Sequence, residues 1–298
     1  MSSQYPVFHQ VLEEQGQGHV TRKKLFLSLE KLLGRPVVTY FTSFHFPVMI
    51  QDGDADILEG VLETLDLSNG LALMISSPGG IGLAAERIVN ICRSYSRTGE
   101  FWAIAPGRAK SAATMVCFGA SKIFMSSSSE LGPIDPQLTT RGADGAPRRY
   151  SICNLVDGYD ELFARAARAK GNLEPYLQQL QHYDARDIKE YRDAISLAED
   201  IAIKSLASGM MSGTGPAAIK KKIEVFLSPK TTKAHGRPIY WKDAEKCGLN
   251  IEHLDTASQI WSVVHELYIR ANNLVSSRAA KSIESKVHAY NVPFNEEV

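Results

Sequence analysis

Two rhythms of hydrophobic and polar positions alternate along residues 36–126. Short, nearly unbroken apolar runs at 36–42 (PVVTYFT), 71–76 (LALMIS), 101–106 (FWAIAP) and 122–126 (KIFMS) read as buried strands. They are too short for helices, and β-branched and aromatic residues recur in them. Between them, ADILEGVLETLDL, LAAERIVNICRSY and SAATMVCFGA place apolar residues at helical spacing, with Asp54 where an N-cap is expected. This order predicts βαβ crossovers, a mainly parallel sheet and an α/β core over 36–140. Further on, 139–149 has the composition of a surface loop or hairpin, and 157–222 is helical and charged, with Gly and Ser breaks near 208–215. HGRPIYWKDAEKCGLNIEHL predicts a short strand, a helical turn and a second short strand. ASQIWSVVHELYIRANNLV predicts an amphipathic helix, with Ile260, Val263, Val264, Leu267 and Ile269 as its apolar positions. The division is therefore an N-terminal extension (1–34), a main domain (35–256), and a C-terminal helix with a polar tail of disordered composition (257–298).

Composition changes this picture little. Of 298 residues, 44% are hydrophobic and 22% charged, ordinary values for a globular chain. Lys plus Arg and Asp plus Glu both number 33, so nothing in the net charge calls for a nucleic-acid partner. The basic stretches KKLFLSLEKLLGR and KKK (220–222) read as solvated helix faces. Cys92, Cys117, Cys153 and Cys247 lack metal-ligand spacing, and the first two fall in apolar segments as small buried hydrophobes. No metal and no organic cofactor is expected. With no bilayer-length apolar run and no signal-peptide pattern, the expectation is a soluble, cytoplasmic chain without a membrane anchor.

Parallel α/β sheets build their sites where strands end and helices begin. Three such points carry chemistry: SSPGGIG after 71–76, PGRAKSAATM after 101–106, and SSSSELGPIDPQ after 122–126. Ser111 opens a helix, where a serine is most often a simple N-cap. Ala109, Ala112 and Ala113 around it leave room for a substrate backbone above the hydroxyl. Gly79 and Gly80 can present backbone N–H groups with no side chain in the way. The two loops together suit a nucleophile and an oxyanion hole.

ISSPGGIGLAAERI, followed by GRAKSAATMVCFGASKIFMSSSSELGPIDPQL, resembles the Clp-fold serine proteases. Within them the chain is most similar to the serine dehydrogenase proteinase family, relatives of signal peptide peptidase A and of the Clp proteolytic subunit. The resemblance spans roughly 36–255 and is strongest over 71–138. It implies a Clp/crotonase-like α/β fold of repeated ββα-type units, a parallel sheet core flanked by helices, and serine endopeptidase activity. It also implies Ser111 as nucleophile, with Gly79, its neighbour Gly80, and the Ala112 N–H as the oxyanion hole.

The general base departs from the pattern. Asp135 stands where the Clp subunit has its histidine, and YSICNLVDGYDELF, where signal peptide peptidases carry a lysine, has none. Lys110 adjoins the serine but projects in another direction. His235 lies beside the position matching the Clp triad aspartate. A Ser111–His235–Asp135 set, with acid and histidine exchanged between segments, still satisfies the roles of a triad. Lys170 or Lys204 is the alternative base. The bland alternatives are a turn-capping Asp135, a loop-bonding His235, and a catalytically weak or inactive binding or scaffold protein. A crotonase-like acyl-CoA enzyme is a further alternative, against which the serine in AKSAA argues. His45, His182, His253 and His265 read as structural or exposed, and Trp102, Trp241 and Trp261 as core or interface. The expected partners are a peptide or protein substrate and further copies of the chain in a closed homo-oligomer. An ATPase partner is compatible with the family but not indicated.

Overall fold

The computed structural model describes residues 7, 10–11, 18–45, 47–228 and 234–294. Its strands are β1 Val37–Thr42, β2 Leu71–Ser76, β3 Phe101–Ala105, β4 Arg108–Ala109, β5 Lys122–Ser126 and β6 Glu130–Leu131. Then follow β7 Gln137–Arg141, β8 Pro147–Ser151, β9 Ile239–Tyr240, β10 Ile251–Leu254, β11 Lys281–Glu284 and β12 Ala289–Val292. The central sheet runs β10–β5–β3–β2–β1–β11–β12. Its members from β10 to β1 are parallel, as the crossover pattern predicts.

Side-chain alternation divides the core in two. Val38, Tyr40, Leu71, Leu73, Phe101 and Ala103 pack under helices Asp52–Leu62, Gly82–Tyr95 and Ala112–Phe118. Val37, Phe41, Ala72, Met74 and Ile104 face the opposite layer, helices His19–Leu33 and Gln259–Ser277. Helices cover both faces, so the strands are apolar throughout and appear in the sequence as continuous runs.

Two expectations need correction. Asp54 is not the N-cap of its helix: Gln51 is, and Asp54 is the third helical residue, whose carboxylate accepts the Gln51 N–H at 2.7 Å in a capping box. The C-terminal stretch is not a disordered tail over 281–292. There β11 adds antiparallel to β1, and β12 to β11, so the parallel sheet acquires an antiparallel edge. Buried charge pairs hold that edge. Lys281 Nζ reaches both Asp54 oxygens at 2.8 Å, and Tyr40 donates its hydroxyl to the same carboxylate at 2.7 Å. Arg22, in the N-terminal segment, grips Glu284 of β11 through two bonds of 2.6 Å. Among the described residues, no helix is long and apolar enough to cross a membrane.

Candidate active site

Ser111 leaves β4 and enters helix Ala112–Phe118 with φ 50° and ψ −119°, the one non-glycine positive φ among the described residues. Such a conformation costs about 1–3 kcal/mol and persists only where the surroundings over-determine it. Here they do. Ser77 N–H donates to Arg108 O and Lys110 N–H donates to Ser77 O, both at 3.0 Å, tying the serine's loop to the end of β2. Thr114 Oγ1 donates to Ala109 O at 2.7 Å from the helix side. The Ser111 hydroxyl makes no cap hydrogen bond, so the simple N-cap role is excluded. The side chain instead lines a cleft of about 370 Å³.

Gly79, at φ 105°, packs directly on this turn. A Cβ there would lie 2.6 Å from Ser111 Cβ and 2.7 Å from Lys110 O, so only glycine satisfies both the dihedral and the contact. Its neighbour Gly80 is held against Ile50: Ile50 N–H donates to Gly79 O at 2.8 Å, and Ile81 N–H to Ile50 O at 3.0 Å. These bonds revise the expected oxyanion donors. The Gly79 N–H donates to Ser77 Oγ at 3.1 Å and is engaged within its own turn. The N–H groups of Gly80 and Ala112 meet no acceptor among the described residues.

A small second sheet, β4–β6–β9, brings the remaining groups together. β4 leads into Ser111, β6 leads toward Asp135, and His235 precedes β9. Asp135 is 1% exposed. Its Oδ1 lies 2.7 Å from His235 Nδ1, and its Oδ2 accepts from Gln137 Nε2 at 2.9 Å. His235 shares the cleft wall with Ser111, Gly79 and Gly80. A proton on Nδ1 facing the carboxylate leaves Nε2 as a bare acceptor.

The alternative bases lie elsewhere. Lys170 and Lys204 are exposed, and neither lines the cleft. Lys110 directs its ammonium away, to Leu131 O and Glu130, each at 3.1 Å. Burial lowers its pKa from the ordinary lysine value, against the opposing pull of Glu130. Burial, with smaller contributions from Asp135 and Asp157, pushes the nearby Cys153 thiol up to about 11. The walls of the cleft are largely apolar, with Met115, Ile134 and Ile201 among its lining and Ile81, Leu83 and Leu197 exposed on it.

Ser111, Asp135 and His235, the three residues the sequence suggested as a set, line or adjoin one cleft, and the sequence reading did not single out Gln137, which bonds Asp135. Its only signal was its position two residues after Asp135 in IDPQ, which places both at the mouth of the same strand.

Residues 31–155 match the family model described as ClpP-like SDH-type serine proteinase. Over these residues the chain is similar to that family. The matched segment contains Gly79, Gly80, Ser111, Ala112 and Asp135, and ends before His235. Two uncharacterized proteins of Methanocaldococcus jannaschii are similar: MJ0137, 33% identical over 36% of this chain, and MJ1495, 28% identical over 67% of it. The chain spans 34% of the first relative's length and 62% of the second's. Solved structures of the 1510-N membrane-bound stomatin-specific protease are also similar. One variant is 13% identical, covering 70% of this chain and 93% of its own, with a TM-score of 0.29. Another, in complex with a substrate peptide, is 12% identical, covering 73% and 92%, with a TM-score of 0.31.

Proposed function

We propose that the protein is a serine endopeptidase in which Ser111 is the nucleophile, His235 the general base and Asp135 the group that orients and charges the histidine. The observation that carries this reading is the strained Ser111, its hydroxyl uncommitted, in the same cleft as a histidine paired to a buried carboxylate.

The chemistry follows from the groups. His235 Nε2 takes the hydroxyl proton as Ser111 Oγ attacks the scissile carbonyl carbon. The carbonyl oxygen gains the negative charge and is met by the N–H groups of Gly80 and Ala112. Each such donor is worth about 10²–10³ in rate. The imidazolium, stabilised by Asp135, returns the proton to the leaving amine, and water then hydrolyses the acyl-enzyme by the same route. The apolar cleft, open along Ile81, Leu83 and Leu197, suits an extended segment of unfolded protein.

A fluorescent fluorophosphonate tests the assignment. Wild-type protein labels, Ser111→Ala does not, and His235→Ala labels about 10³-fold more slowly or worse. Lys170→Ala and Lys204→Ala label at the wild-type rate. Undiminished labelling of His235→Ala sinks the triad, and loss of labelling in either lysine variant moves the base to that residue.

A further inference from the structure

We propose that Gln137 is a positioning residue of this site: by donating to Asp135 Oδ2 it holds the carboxylate with Oδ1 on His235 Nδ1, and so keeps the imidazole proton on Nδ1 and Nε2 free to accept. The proposal rests on the triad reading above and adds a group that neither the nucleophile nor the base touches.

Asp135 is buried with one partner on each oxygen, His235 Nδ1 on Oδ1 and Gln137 Nε2 on Oδ2. The Gln137 amide is itself oriented. Its Nε2 also lies 3.4 Å from Pro136 O, so the NH₂ end faces a carbonyl as well as the carboxylate. Its main chain is fixed at the start of β7, paired with Ser151 of β8. An amide NH₂ can only donate. Gln137 therefore demands an acceptor from residue 135 on its own side, which an aspartate supplies from either oxygen while the other still accepts the His235 Nδ1 proton. Without Gln137, Oδ2 would be a buried acceptor with no protein donor, and a carboxylate free to rotate would hold the imidazole less firmly. Gln137 also lines the cleft that holds Ser111 and His235.

The test uses an amide at 135, because its two ends differ. In Asp135→Asn, Gln137 keeps the introduced oxygen and turns the introduced NH₂ toward His235 Nδ1. The imidazole proton then moves to Nε2, which can no longer accept from Ser111, and fluorophosphonate acylation falls by about 10³–10⁴-fold. Adding Gln137→Glu reverses the demand. The introduced carboxylate takes the NH₂, the oxygen swings back to the Nδ1 proton, and acylation recovers about tenfold or more over Asp135→Asn. Adding Gln137→Leu instead releases the amide and also raises the rate over Asp135→Asn, although Gln137→Leu alone lowers the rate of the wild type. This reversal of sign is a readout that a purely structural role does not produce. Melting temperatures of each variant establish that it is folded, and the leucine pair serves if the introduced carboxylate prevents folding. If Asp135→Asn acylates at the wild-type rate, the triad reading itself fails. If Asp135→Asn is impaired and neither second substitution in a folded protein restores any rate, the role of Gln137 is overturned.

Discussion

Replacing Gly79 by alanine puts the geometry of the nucleophile turn to its hardest test. The added Cβ would stand 2.6 Å from Ser111 Cβ, 2.7 Å from Lys110 O and 3.0 Å from Ala112 N. Carbon contacts settle near 3.5–4.0 Å, so the two loops must separate by about 1 Å. The backbone adds its own cost, because φ 105° is foreign to an L-residue and holding it costs about 1–2 kcal/mol. The loops are tied through Ser77 at both Arg108 and Lys110, so the displacement passes directly to Ser111 and Ala112. A misplacement of about 1 Å in a catalytic group costs on the order of 10²-fold in rate, or about 2.7 kcal/mol in barrier height. The assay is the pseudo-first-order rate of fluorophosphonate acylation, with a thermal melt alongside it. The expected result is a folded protein acylating about 100-fold more slowly. Acylation of Gly79→Ala at the wild-type rate would refute the claim that this glycine sets the space in which Ser111 works.

Two further outcomes follow from buried groups. Iodoacetamide near neutral pH should leave Ser111 acylation unchanged. Burial pushes the Cys92 and Cys117 thiols up to about 12, and Cys153 up to about 11, so less than about a thousandth of any of them is the reactive thiolate. Loss of acylation after alkylation would contradict this. Lys281→Met should lower stability by about 3 kcal/mol, because it leaves the Asp54 carboxylate buried without its cation. That corresponds to a fall in Tm of about 6 °C or more, and an unchanged Tm would show that the ion pair does not hold the C-terminal strands.

The primary sequence determined the layers and half of the site. The runs at 71–76 and 122–126 are strands to the residue, because a strand covered on both faces is apolar at successive positions through its middle. ISSPGGIG and GRAKSAATM disclosed the Ser111 turn and the glycine turn because their constraints are local: a positive φ, a small residue, a strand end followed by a helix start. The failures share a physical cause. No local pattern marks β4 and β6 as strands, since each has only two residues, and the short strand read at Ile239–Tyr240 gave no sign that it would pair with β6. Yet that small sheet carries Ser111, Asp135 and His235 to one place across a separation of more than a hundred residues. The polar sequence at 281–292 concealed two strands because their charged side chains find buried partners in segments far away along the chain, Asp54 for Lys281 and Arg22 for Glu284. Likewise, Gly79 kept its place in the site but lost its expected donor role, because the acceptor for its N–H is a side chain two residues away, turned inward by Thr42 at 2.7 Å. Covalent sequence specifies which groups are available. Tertiary packing decides which of their hydrogen bonds are already taken, and so which donors and acceptors are left to meet a substrate.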